Sequence, residues 1–226
     1  MRTISRTVLI AAMSILPFVA AAQSGSSKPA TYITKEEVDT VGKQPGGDRQ
    51  IKIVDVGPEN FAVGIVHRGA TGTSGAGGAG APAVARGAEA GGARGAAAQP
   101  PAEPCGEKSS VPVPAGTPNG LTHDQQTEGY LIVSGGGTMV TGGHLVNGRR
   151  SAPDSAVTKE LNGPSCSGPV VGADAVTREV KVGDIVIIPA GTPHGWVNIP
   201  DHVDYLSFRP SARIIPAGYV HPSIKK

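Results

Sequence analysis

The sequence predicts an all-β protein, and three observations carry that reading. Runs of apolar and β-branched residues are short. Turn residues separate them, with 33 glycines and 20 prolines among 226 residues. One segment alone carries the signals of a helix start. Short strands with frequent turns and little helix make a β-barrel or β-sandwich.

The elements follow in chain order. Residues 1–22 have the form of a secretory signal: Arg2 and Arg6 precede an apolar stretch at 8–22 that is short for a bilayer span. Ala20, Ala21 and Ala22 offer small residues for cleavage. Removing this segment takes two of the 20 Lys and Arg and leaves 18 against 18 Asp and Glu. A chain so balanced has no electrostatic case for nucleic acid or an anionic membrane. A secreted or periplasmic protein, not held in a membrane in its mature form, is expected.

Residues 23–49 form a polar leader. Thr34 with Glu37 three residues later is a capping box, which predicts a helix from Lys35 to about Gly42. Strands are predicted at 50–56 and 61–68, with Gly57, Pro58, Glu59 and Asn60 turning between them. Residues 69–104 are dominated by Ala, Gly and Pro and hold almost no large apolar side chain. Such a stretch cannot offset its ordering entropy by burial and reads as a flexible surface insertion. Further strands are predicted at 129–133 and 138–141, with Gly135, Gly136 and Gly137 as a turn between them. A long Pro/Ser/Gly-rich connection covers 149–174. The runs 176–182, 185–189, 194–199 and 203–208 complete the strands, and 185–188 reads as a buried one. One barrel at 50–216, with a tail at 217–226, is the domain expectation. The two cysteines, Cys105 and Cys166, are expected to form a disulfide, because free thiols are a liability outside the cytosol.

Two stretches carry chemistry. In the first, His194, Trp196 and Asn198 alternate after a Pro189–Gly191 turn and share one strand face. A face with imidazole, indole and amide suits a polar pocket better than a dry core. In the second, Glu128, Tyr130 and Ile132 share a face five residues after His123. An inward carboxylate is costly without a cation or a partner.

Gly183, Pro189, Gly191, His194 and Asn198 resemble the second sequence motif of the cupins. His123, Glu128 and Gly135 resemble the first, in which Leu121 stands where the family has another histidine. The resemblance covers about half the chain, at 61–208 without the insertion. It implies a double-stranded β-helix, the cupin or jelly-roll barrel. It also implies metal ligation by His123, Glu128 and His194, with Tyr130, Trp196 and Asn198 lining the pocket. Imidazole and carboxylate suit divalent Fe, Mn, Zn, Cu or Ni.

Two functional readings lead, and a structural or interaction protein with the insertion as a tether is a third. One is a metal-dependent enzyme, dioxygenase- or isomerase-like, with no catalytic residue assigned. The other is a metal-free module that binds a small ligand or sugar, which Leu121 favours. Both take a small molecule as partner, and a homodimer is left open. His67, His144, His202 and His221 are spare histidines that offer a replacement ligand. His67 alternates with Phe61, Val63 and Ile65 and is expected to lie in the core beside them.

Overall fold

The computed structural model describes residues 29–71 and 103–224. The signal-like segment and most of the Ala/Gly-rich insertion lie outside the described residues. The two ends of that insertion are strand: Gly69 closes one and Pro104 opens the next.

One helix, α1 (Lys35–Gly42), starts where the capping box predicts. Thr34 Oγ1 accepts from the Glu37 backbone N–H at 3.2 Å, and the Glu37 carboxylate accepts from the Thr34 N–H at 3.0 Å. Twelve strands follow among the described residues: β1 (Asp48–Asp55), β2 (Asn60–Gly69), β3 (Pro104–Cys105), β4 (Asn119–His123), β5 (Glu128–Thr141) and β6 (His144–Leu145) come first. Then come β7 (Gly148–Arg150), β8 (Ser165–Val171), β9 (Val176–Lys181), β10 (Ile185–Ile188), β11 (His194–Asn198) and β12 (His202–Ser211). They pair in the order β1-β2-β12-β5-β11-β4-β8-β7-β3, with β9 and β10 also on β5 and β6 on β8.

Strand β5 organises the barrel. Its first half pairs with β12 and β10, and its second half with β11 and β9. The expected turn at Gly135, Gly136 and Gly137 is therefore not a turn but the bend of one continuous strand. Gly135 has φ +63°, and a Cβ there would lie 1.9 Å from the His202 carbonyl oxygen. Neighbouring backbone passes so close that only glycine fits.

Three further expectations are corrected. The connection 149–174 holds β7, a π-helical turn (Val157–Asn162) and β8. Hydroxyls of Ser151, Thr158 and Ser165 tie it together at 2.9 Å. These polar side chains gave no apolar pattern to read. The run 185–188 is half exposed: Ile185 and Ile187 are 69% and 68% accessible, while Ile188 is buried. β10 lies on the sheet rim, so only one of its faces meets the interior. His67 is 51% accessible at its side chain and pairs with Asp204 at 2.6 Å. Its apolar partners Phe61, Val63 and Ile65 do form a cluster, but on the outer face of the sheet, where Val38 and Val41 of α1 cover it. Residues 218–221 run along the free edge of β1, where Tyr219 and His221 bond to Ile53 and Ile51.

The barrel interior is filled by Val66, Tyr130, Ile132, Ile199, Val203 and Tyr205 with their neighbours. The inward residues of β12 alternate as Val203, Tyr205, Ser207, Arg209 and Ser211, all buried. That alternation carries polar groups to the same face as the core, and the site lies at that end.

Candidate metal centre

β4 ends on His123, β5 begins on Glu128 and β11 begins on His194. Antiparallel pairing of these strands brings the three side chains together inside the barrel. One atom of each, His123 Nε2, Glu128 Oε2 and His194 Nε2, can ligate, and these atoms lie within 4.8 Å of one another. All three residues are at most 3% accessible.

Backbone carbonyls set both imidazoles. His123 Nδ1 donates to the Asn162 carbonyl at 3.1 Å and His194 Nδ1 to the Thr192 carbonyl at 3.0 Å. A carbonyl only accepts, so a proton sits on each Nδ1 and each ring turns its Nε2 inward. His123 Nε2 is 2.9 Å from Glu128 Oε2. His194 Nε2 is 3.3 Å from the same oxygen, makes no hydrogen bond and is shut off from solvent. Three electron-pair donors thus face one point. They repel unless a proton or a metal ion lies among them.

Glu128 is held from its far side. Its Oε1 accepts from Ser207 Oγ at 2.6 Å and from Arg209 Nε at 2.8 Å, and Tyr130 donates to Oε2 at 3.0 Å. Burial works against ionisation of Glu128, but Arg209 and His123 outweigh it and hold its carboxyl well below the usual range. Burial and the Glu128 charge push the Tyr130 phenol well up, so it stays a donor. Arg209 also reaches Asp48 at 2.7 Å and the Leu161 carbonyl at 3.4 Å.

Arg209, Ser207 and Asp48 were not foreseen from the sequence. The signal was present in β12: Arg209 keeps the parity of Val203 and Tyr205. An arginine in that position is buried only with a carboxylate beside it.

The predicted lining residues divide. Tyr130 touches the cluster, and its ring lies 4.1 Å from that of Tyr205. Trp196 is half-buried and packs on Tyr205 at 5.9 Å, one layer away. Asn198 is exposed and does not line the interior. A register shift between Trp196 and Asn198 breaks the alternation that put them on one face. Leu121 pairs directly with His194 across β4 and β11. Among the described residues, none of the spare histidines joins the cluster. His144 approaches Glu107, His202 bonds Asp201 and His221 bonds Ser223 instead. Cys105 and Cys166 form the expected disulfide. No described helix is long and apolar enough to cross a membrane.

The strand order and the buried His-Glu-His cluster together define an antiparallel β-barrel with an interior site that could hold a metal ion. No family model matches the chain, and no curated protein matches it. Solved structures similar to it include a cupin protein from Bacteroides fragilis, at 13% identity and TM-score 0.28, covering 74% of this chain and 78% of that one. A conserved protein with a double-stranded β-helix domain from Klebsiella pneumoniae is 10% identical at TM-score 0.32, covering 83% and 94%. An oxalate oxidase in complex with glycolate is 13% identical at TM-score 0.29, covering 91% and 69%. Likeness at these values carries no argument, and the all-β barrel is read from the chain's own strands.

Proposed function

We propose that this is a secreted or periplasmic barrel protein that binds one divalent transition metal through His123, Glu128 and His194 and takes a small organic molecule there. The observation that carries the reading is His194 Nε2, a buried ring nitrogen with no hydrogen-bond partner, aimed at a carboxylate oxygen. Fe, Mn, Zn, Cu and Ni in the divalent state all accept this donor set. Bound there, such an ion supplies a Lewis acid with coordination positions open to an oxygen ligand. The chain's residues hold the donors ready. Asn162 and Thr192 fix the ring tautomers. Arg209 and Ser207 occupy Oε1 and leave Oε2 to the cluster. Dioxygenase- or isomerase-type chemistry is the enzyme form of this proposal.

One observation favours the second reading, a metal-free ligand-binding module. Glu128 already has protein donors on both oxygens. Metal analysis of purified mature protein separates the two. About one equivalent of metal, lost in His194→Ala and His123→Ala, supports the metal centre. No metal in protein made in metal-supplemented medium refutes it. The disulfide supports a place outside the reducing cytosol. A mature N-terminus near residue 23, read by mass spectrometry, tests the secretion route.

A further inference from the structure

One layer beyond the Glu128–Arg209 pair, the inner face carries a row of buried, uncharged polar side chains. Asn60 on β2 pairs with Ser211 on β12, and Ser211 is bridged to Gln126 just before β5. The three residues are 3%, 4% and 1% accessible. Gln126 keeps the inward parity of Glu128, and Ser211 keeps that of Arg209. Asn60 spends its Nδ2 on the Ile215 carbonyl at 2.7 Å, and its Oδ1 has no partner. Both Gln126 Oε1 and Gln126 Nε2 are buried without a hydrogen bond. Two acceptors and one amide donor are thus left unmet in one row.

Unmet buried polar atoms are costly, so the row needs an occupant. The chemistry of the row defines it. No carboxylate belongs to the row, so a buried cation would find amide oxygens but no charge to offset its own. The nearest guanidinium, Arg209, is committed to Glu128 and Asp48, so an anion would meet two bare oxygens. A hydroxyl group matches: it donates to an amide oxygen and accepts from Gln126 Nε2. Gln126 and Glu128 are two residues apart along an extended chain, about 7 Å. A short carbon chain with several hydroxyls covers that span.

We propose that Asn60, Ser211 and Gln126 form a subsite for a hydroxyl group of a small uncharged polyol, bound beside the His123–Glu128–His194 cluster. The proposal rests on the small-molecule reading above and names its ligand class. A trapped water offers the same hydroxyl chemistry, and the test distinguishes the two.

The test is calorimetric titration of the mature protein with erythritol, xylitol and glucose, with metal content measured in parallel. Saturable binding of at least one polyol is expected. Gln126→Met removes both polar atoms at similar volume and should weaken that binding about tenfold or more, as for one lost buried hydrogen bond. Its metal content should match wild type. Gln126→Glu keeps an acceptor, loses the amide donor and should also weaken binding, so it decides the matter if the methionine variant does not fold. No binding by wild type to any of the three overturns the proposal and leaves a trapped water only. Undiminished binding by the folded variants overturns it too. Polyol binding that depends on Gln126 in protein free of metal upholds the subsite while refuting the metal centre, so the two failures are read apart.

Discussion

Arg209 is the residue on which the site's electrostatics turn. It lies 2% exposed and pairs with both Glu128 and Asp48. Removing one member of a buried pair strands the other charge, so Arg209→Met should cost about 3–5 kcal/mol in urea unfolding. The acid limb should move as well. In the metal-free wild type, Glu128 titrates below its unfolded value near 4.5, so its stabilisation is present above that value and lost as pH falls through the lower folded one. Without Arg209 the folded value rises, and the loss of stability on acidification should begin at higher pH. An unchanged acid limb would show that His123 alone holds the charge. Leu121 supplies the opposite kind of test. It pairs with His194 and shares the inward parity of His123, so Leu121→His adds a fourth imidazole with no change of register. That variant should retain metal through dialysis longer than wild type. Equal retention would mean that the three donors suffice. His123, Glu128 and His194 were legible because their spacing is local to two short motifs. Arg209 was not, because its partners Glu128 and Asp48 are 81 and 161 residues away.

At the scale of elements, β5 decides how the sheet closes. Its glycines read as a turn when only local propensity is considered, yet the strand continues through them with a bend. Gly135→Ala would place a Cβ 1.9 Å from the His202 carbonyl in a left-handed conformation. The conformation alone costs about 1–2 kcal/mol, and the clash forces β5 and β12 apart. The variant should therefore lose well over 2 kcal/mol, read from thermal melts. Gly129→Ala, where the nearest atom is 3.5 Å away, should melt close to wild type. Similar melting of the two variants would refute the close-approach account. The capping box of α1 shows the contrary case. Every partner lies within three residues, so the sequence told both where the helix starts and why. The π-helical turn had no such signal. Its position follows from its carbonyls, with Glu160, Leu161 and Asn162 accepting from Gln50, Arg209 and His123 across the chain.

For the whole molecule, the disulfide ties the strand after the insertion to the strand beside β4. Cys166 pairs across from Thr122, next to His123, and Cys105 sits on β3 at the far edge. Replacing both cysteines by serine should cost about 2–5 kcal/mol, measured by urea unfolding of the oxidised wild type against the variant. A loss below 1 kcal/mol would mean that β-pairing alone holds that edge. The outer sheet face has a division that no periodicity revealed. Near β1 and β2 it is covered by α1, whereas Ile185 and Ile187 at the other end stay exposed. Alternation shows that two faces exist, but which one meets the interior depends on strands far off in sequence.

The sequence by itself determined the all-β class, the helix cap and the cysteine pair, which depend on spacing within a few residues or on composition. Its two motif stretches implied the two histidines and one glutamate of the cluster through their resemblance to a known family. Only the tertiary structure decided that β5 is one bent strand, that Asn198 faces out, that Arg209 and Ser207 hold Glu128, and that Asn60 and Gln126 are left without partners. Those outcomes depend on antiparallel registers between β1, β2, β5 and β12. Register is set by the burial of whole faces at once, and one shift of a single residue, as at Trp196–Asn198, reverses which side chains meet the interior.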